Sequence, residues 1–332
     1  MKKSILFLSA AVTLLAASSC QKFTKTDGGS EYKIVKDAGG PKAEAGDILA
    51  VDLTLLSDRN DSLINSTYTL GLPQIVSIAP DSIAGMQGTY KGDYNSMFKF
   101  FGEGDSAIFK LDLDTMAVKT SQPKLDFADK FVTIRVKVRK LFKKGQLTDS
   151  AMYAQVDTYF KNEIETIKKA ETGKIENYIS SKKLTPKKTA SGLQYVVTEE
   201  GKGNKPALGD TVVVNYTGRL TNGTLFDTSV KEVYEKSDLR KDPMRTFEPI
   251  RFSLGNQPVI QGWTEALQLL NKGSKATLII PSSIAYGERP MGDRIPPYAP
   301  LVFEIELVDV IKGQGLAAPQ APFGMPNPEP TN

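Results

Sequence analysis

Two hydrophobic periods alternate along the chain. Phe131 to Val138 (FVTIRVKV) alternates apolar and charged residues, the period of two that predicts a half-buried antiparallel strand at the end of a strand-rich region covering residues 30–142. Beyond it the period changes. Tyr153, Val156, Phe160, Ile164 and Ile167 recur at spacings of three, four, four and three, one apolar stripe along a helix. Thr148 and Asp149 can cap its start, Gly173 is a candidate interruption, Ile175, Tyr178 and Ile179 resume the stripe, and Pro186 ends it. The period of two then returns. Thr211–Arg219, Ile250–Leu254, Ser274–Ile280 and Leu301–Val310 read as strands, and Asn222-Gly223 as a hairpin turn. Ile260, Trp263, Leu267 and Leu270, spaced three, four and three, predict one helix over Val259–Leu270. Antiparallel strands covered by few helices make an α+β fold.

The two strand-rich regions repeat one another. An offset of 163 residues pairs Tyr32 with Tyr195, Gly40 with Gly203, Gly46-Asp47 with Gly209-Asp210, and Ile48–Thr54 with Thr211–Thr217. Further on, Gly104 to Phe109 parallels Gly273 to Leu278. Landmarks in one order predict two copies of one domain, at 30–145 and 190–312, joined by a helical linker over 146–189. The polar residues 20–29 read as a tether, and the Pro-rich residues 313–332 as a disordered tail. The lysines over 161–188 read as a solvated helix face. The apolar stripe is left to pack on a neighbouring domain or on a second copy of the chain, which would make a homodimer.

Composition narrows the chemistry. The 332 residues include one cysteine and no histidine. This excludes imidazole acid–base catalysis, Ser-His-Asp and Cys-His nucleophiles, an internal disulfide and the usual Cys/His zinc cage. A net charge of +4, dispersed along the chain, does not argue for nucleic acid. No cofactor or metal is expected. Lys2 and Lys3 precede an apolar run, Ile5 to Ala17, too short to span a bilayer, so residues 1–19 read as a signal peptide. Leu15-Ala16-Ala17-Ser18-Ser19-Cys20 resembles a bacterial lipobox, with Ala17 where leucine is usual. That resemblance implies a lipidated Cys20 held in a bilayer; the other reading is an ordinary cleaved signal that leaves Cys20 a free thiol. Gln21, in place of the aspartate that marks inner-membrane retention, points to the outer membrane of a bacterial envelope, on its periplasmic or surface face.

The second region carries Val214-Asn215-Tyr216-Thr217-Gly218, Leu225-Phe226-Asp227-Thr228-Ser229, Val259-Ile260-Gln261-Gly262-Trp263, Ala285-Tyr286-Gly287, Ile295-Pro296-Pro297 and Leu301 to Leu307 (LVFEIEL). In this order it resembles the FKBP-type peptidyl-prolyl cis-trans isomerases. The entry Ala190 to Tyr195 after a charged helix is similar to the envelope branch that includes the macrophage infectivity potentiators. The resemblance implies a five- to six-stranded antiparallel sheet wrapped around a helix, with an apolar pocket that receives proline. Carried over, Tyr216, Phe226, Asp227, Tyr286 and Phe303 would be catalytic, and Phe252, Val259, Ile260, Trp263, Ile295 and Ile250 would bind substrate, with Trp263 as the floor. Ile250 stands where the family often has another aromatic, and Met291 and Pro258 are further departures at the rim. The implied partners are proline-containing polypeptides of the cell envelope and the family's macrolide inhibitors. A non-catalytic chaperone or binding module is the rival reading.

Two regions depart further from the family pattern. Thr228 to Arg251 is a charged segment about a dozen residues longer than usual, either a tolerated surface insertion or a grip on protein substrates. In the first copy the 163 offset places Leu53 at Tyr216, Leu63 at Phe226 and Ile64 at Asp227, and the Gly104 alignment places Tyr94 at Trp263. A copy without these groups would have lost the activity and would serve as a spacer, a docking surface or a binder of unfolded chains.

Overall fold

The structure, a computed structural model, describes residues 22–26, 28–80, 90, 93–239, 241–256 and 259–313. The expected signal peptide, Cys20, Pro258 and the tail from residue 314 lie outside the described residues. The chain divides into two units. The first takes in the chain up to Ser66 together with Pro73–Thr148, and the second takes in Thr67–Leu72 and the chain from Asp149.

The first unit is a seven-stranded antiparallel sheet. Its strands are β1 (Thr24–Lys25), β2 (Glu31–Lys36), β3 (Ile48–Ser57), β4 (Leu63–Ser66), β5 (Gln74–Ser77), β6 (Ser106–Asp112) and β7 (Phe131–Phe142). They lie in the order β1-β2-β6-β7-β3-β4, with β5 also paired to β3. The second unit opens with two helices, named below, and then forms β8 (Lys187–Lys188), β9 (Gln194–Glu199), β10 (Thr211–Leu220), β11 (Leu225–Thr228), β12 (Ile250–Ser253), β13 (Lys275–Ile280) and β14 (Leu301–Ile311). Their order is β8-β9-β13-β14-β10-β11, with β12 on β10. The two topologies are the same strand for strand, as the repeat predicts. Each sheet has seven strands, not five to six, because a two-residue edge strand pairs outside β2 and outside β9. The first of these edge strands, Thr24–Lys25, falls inside the expected tether.

The Gly-Asp pairs show what the repeat preserves. Gly46 (φ 90°) and Gly209 (φ 91°) turn the chain in the left-handed region that a side chain disfavours. The next residue, Asp47 or Asp210, is buried. The Asp47 carboxylate accepts the N–H groups of Glu44 and Lys144, both at 2.8 Å, and lies 3.0 Å from the Lys143 ammonium. The Asp210 carboxylate accepts those of Ala207 (2.8 Å) and Gly313 (3.1 Å) and lies 2.8 Å from Lys312. Each aspartate thus ties the entry of the long central strand, β3 or β10, to the end of the strand beside it.

The helices refine the sequence reading. α1 (Thr67–Leu70) follows β4, and α2 (Leu113–Thr120) follows β6 with Asp112 accepting the Thr115 N–H as its cap. The linker holds α3 (Asp149–Lys169) and α4 (Glu171–Ser181), so Thr148 stands at the N-cap position. The break falls at Ala170, and Gly173 lies inside α4. The buried stripe starts at Met152, and Tyr153 is 61% exposed, because Met152 is the residue one turn before buried Val156. α4 ends five residues ahead of Pro186, closed by Lys183 at φ 52° and the Leu184 N–H on the Ile179 carbonyl. In the second unit α5 (Lys231–Glu235) lies in the long segment after β11, and α6 (Gln261–Leu269) lies against the concave face of the sheet. Val212, Val214, Leu278, Leu301 and Leu307 close around its Trp263, Ala266 and Leu267.

The Ala207 N–H, the Lys312 ammonium and the Gly313 N–H favour the Asp210 carboxylate over its protonated form and hold its pKa down to about 2. A carboxyl depressed on folding stabilises the native state above its ordinary pKa and loses that contribution as pH falls towards the folded value. Asp210→Asn should therefore unfold at lower temperature than wild type at pH 6, and the gap should close between about pH 4 and pH 2. Thermal unfolding of both proteins across that range checks it; a gap independent of pH contradicts it.

Candidate active site

Side-chain alternation along β10 and β14 builds the site. Tyr216 pairs with Ile305, and Gly218 pairs with Phe303 on β14 and Asp227 on β11. Tyr216, Gly218 and Phe303 thus share the face that looks on α6. Phe303 meets Phe226 edge to face at 5.4 Å and Trp263 at 5.2 Å, and Tyr216 meets Trp263 edge to face at 5.4 Å. Edge-to-face rings set one another's tilt and leave a shaped hollow rather than a filled core. The approach depends on glycine. A Cβ on Gly218 would lie 2.5 Å from the Phe226 ring and 2.8 Å from that of Phe303, and one on Gly262 would lie 2.5 Å from Ile280 of β13.

The result is a cavity of about 840 Å³ lined by Tyr216, Phe226, Asp227, Ile250, Val259, Ile260, Trp263, Tyr286, Ile295 and Phe303, with Arg245, Gln261, Ala285, Met291, Gly292, Asp293 and Arg294 around them. Ten of the eleven expected site residues meet there. Phe252 does not line it. It is buried behind Trp263, ring centroids 6.0 Å apart; Ile250, two residues earlier on the same face of β12, stays exposed at the rim because it pairs further along β10, with Val214 where Phe252 pairs with Val212.

Polar groups converge on Asp227. The Tyr216 hydroxyl donates to one carboxylate oxygen at 2.6 Å. The other oxygen accepts the Thr228 N–H at 2.8 Å and the Arg245 guanidinium, which also donates to the Thr228 carbonyl at 2.7 Å. Burial, and then the hydrogen bond to Asp227, push the Tyr216 hydroxyl well above the ordinary tyrosine range, so it stays a neutral donor. Burial and the Asp227 charge also raise the Tyr286 hydroxyl. The site thus offers neutral hydroxyl donors and a paired carboxylate over an aromatic floor. Among the described residues no group of three or more Cys, Asp or Glu side chains is placed to hold a metal ion.

Residues 202–308 match the family model of the FKBP-type peptidyl-prolyl cis-trans isomerases. The chain belongs to this family through its second unit. A probable FKBP-type isomerase FkpA of Neisseria meningitidis serogroup B is 44% identical over 124 residues, 37% of this chain and 40% of that protein. The 22 kDa FKBP-type isomerase of Escherichia coli is 43% identical over 132 residues, 40% of this chain and 56% of that one. The outer membrane protein MIP of Legionella longbeachae is 37% identical over 171 residues, half of this chain and 66% of that protein. The crystal structure of Escherichia coli FkpA is 35% identical, covers 50% of this chain and 74% of that one, and gives a TM-score of 0.40. The chain spans only 40–56% of the length of the first two relatives.

Arg245 is the FKBP domain residue that sequence reading missed. It comes from the charged segment after β11, where its guanidinium lies 5.0 Å from the Tyr234 ring and 6.0 Å from that of Phe247. Arg294 fastens the same segment, donating to the Leu225 carbonyl at 3.1 Å and the Asp238 carbonyl at 3.0 Å. The only sequence signal for Arg245 was the cluster of charges and aromatics in that segment. Among the described residues the first unit has no equivalent site. Thr54 pairs with Ser66 and Leu55 with Asn65, while Thr217 pairs with Thr228 and Gly218 with Asp227. The counterpart of Asp227 is therefore Asn65, and that of Phe226 is Ile64, one residue later than the constant offset predicts. The segment after β6 forms α2, where the FKBP domain has the Tyr286 turn. Tyr94 packs edge to face on Phe98, 5.3 Å away, ahead of a short 3-10 helix (Ser96–Phe100).

Gly218→Ala should force Phe226 and Phe303 apart and destabilise the FKBP domain by about 1–3 kcal/mol, the usual range for overpacking. Urea unfolding followed by Trp263 fluorescence, the chain's single tryptophan, reads the loss in this unit; an unchanged midpoint would refute the close approach.

Proposed function

We propose that the FKBP domain catalyses cis–trans isomerisation of X-Pro bonds in proteins folding in the cell envelope. The observation that carries this reading is the aromatic cavity whose carboxylate, Asp227, is already paired with Arg245 and bonded by Tyr216. Rotation about X-Pro crosses a barrier of about 18–20 kcal/mol set by amide resonance, and uncatalysed it takes tens to hundreds of seconds. It breaks no bond and needs no nucleophile, which suits a chain without histidine. A twisted amide has lost resonance and carries less charge separation than a planar one. A dry, apolar cavity therefore binds the twisted state better than water does relative to the planar state. In this mechanism Trp263 lies under the proline ring, Phe226 and Phe303 hold its sides, and the Tyr286 hydroxyl donates to a substrate carbonyl. Asp227 orients Tyr216 and polarises the rim without transferring a proton. Val259, Ile260, Ile295 and Ile250 complete the apolar wall, the same wall that would accept a macrolide inhibitor.

The envelope location rests on the expected signal peptide and on similarity to an outer membrane protein. Cys20 is the proposed lipid attachment point, facing the periplasm or the cell surface at the outer membrane. Among the described residues no helix is long and apolar enough to cross a membrane. The helical linker is the proposed surface for a second copy of the chain.

In a protease-coupled assay on an X-Pro peptide, the full chain should accelerate isomerisation, and Phe226→Ala should lower kcat/KM about tenfold or more, equivalent to about 1.4 kcal/mol of lost transition-state binding. Rates equal to the uncatalysed reaction would overturn the isomerase reading and leave a binding module. Metabolic labelling with palmitate in a bacterial host should mark the wild-type chain and not Cys20→Ala; equal labelling would contradict the anchor.

A further inference from the structure

The turn that presents Tyr286 is held from outside the FKBP sheet. Ser282 opens it and is almost completely buried. The Ser282 carbonyl accepts the N–H groups of Ala285 and Gly287, both at 2.9 Å, so this one residue brackets Tyr286 on either side. Its own N–H and hydroxyl donate to the two carboxylate oxygens of Glu171, at 2.5 Å and 2.8 Å. Glu171 lies in the first turn of α4, directly after the break at Ala170 between α3 and α4. A bidentate, charge-assisted acceptor is among the strongest ways to fix a buried serine.

Two further features tie the same helices to the site. Ile279 and Val302 are buried although neither belongs to the concave core, and alternation puts them on the opposite face from Leu278 and Phe303. Half-buried Tyr178 of α4 is on this outer side, where it feels the charges of Glu304 and Arg219. On the other side of the turn, the Tyr298 N–H donates to the Gly287 carbonyl at 2.8 Å, with Tyr298 at φ 50°, a conformation a bulky side chain rarely adopts. The Lys168 ammonium of α3 lies 5.5 Å from the Tyr298 ring.

We propose that Glu171 is a positioning residue for the isomerase reaction: through Ser282 it fixes the turn that aims the Tyr286 hydroxyl into the cavity, which makes the linker helix a working part of the FKBP domain. The inference rests on the isomerase reading above, and it assigns a part in the reaction to a helix otherwise read as a linker and a surface for a second copy. Isomerase kinetics on the full chain test it in four variants. Glu171→Ala should lower kcat/KM about threefold to tenfold, the loss expected when a catalytic group is loosened but not removed. Glu171→Gln keeps one acceptor for the Ser282 N–H and an amide for its hydroxyl, and should stay within about twofold of wild type. Tyr286→Phe removes the group being aimed, so adding Glu171→Ala to Tyr286→Phe should cost no further activity.

Wild-type kcat/KM in Glu171→Ala would overturn the proposal. So would full additivity of the double variant, or a loss that follows a fall in the folded fraction at the assay temperature. An inactive wild-type chain would instead overturn the isomerase reading itself and is distinguished at the first measurement.

Discussion

Two missing β-carbons set the depth of the cavity. Gly218 lets Phe226 and Phe303 come within van der Waals reach of the β10 backbone, and Gly262 lets α6 settle on Ile280. With a side chain at either position, the helix and the sheet would stand apart or the rings would change tilt. The floor at Trp263 and the walls at Tyr216 and Phe303 are edge-to-face contacts, and their geometry survives only at these distances. Well-packed interiors respond to a single methylene, so this close approach is the constraint on which the cavity's shape rests.

Electrostatics then decide what the cavity can do. An unpaired carboxylate beside an apolar hollow would draw in water or take up a proton. The Asp227 carboxylate is paired: the Tyr216 hydroxyl, the Thr228 N–H and the Arg245 guanidinium all donate to it. Its partner Arg245 is held over two aromatic rings of the long segment after β11, which gives that segment a physical task at the site whatever else it grips. The same economy applies at the opposite rim, where one buried serine bonded to Glu171 governs the turn behind Tyr286.

The two units show how one topology is kept while a site is lost. The Gly-Asp device at the strand entry recurs with the same three partners, offset from one copy to the other, because it closes the sheet itself. The positions that make a cavity are under no such requirement. Leu53 fills the place of Tyr216, Asn65 that of Asp227, and α2 replaces the turn that carries Tyr286.

The sequence by itself determined the α+β class, the repeat, the strands β3, β7, β10, β12, β13 and β14 to within a few residues and ten of the residues that line the cavity. These follow from local rules: period two for strands, period three to four for α6, glycine at positive φ before a buried aspartate. What only the tertiary structure decided depends on irregularities that local rules do not place. Both hairpins carry a bulge at the same place, after Leu55 and after Gly218, but the connection from Leu56 to Leu63 is one residue longer than that from Arg219 to Leu225; the extra residue puts Asn65 and not Ile64 at the Asp227 position, since a one-residue slip reverses the faces. How deep β12 carries Phe252, the reach of Arg245 from a long loop and that of Glu171 across 111 residues of chain to Ser282 are set by packing between segments distant in sequence. Spacing along a chain carries the period of an element; it does not carry the path by which a loop or a linker returns to a site.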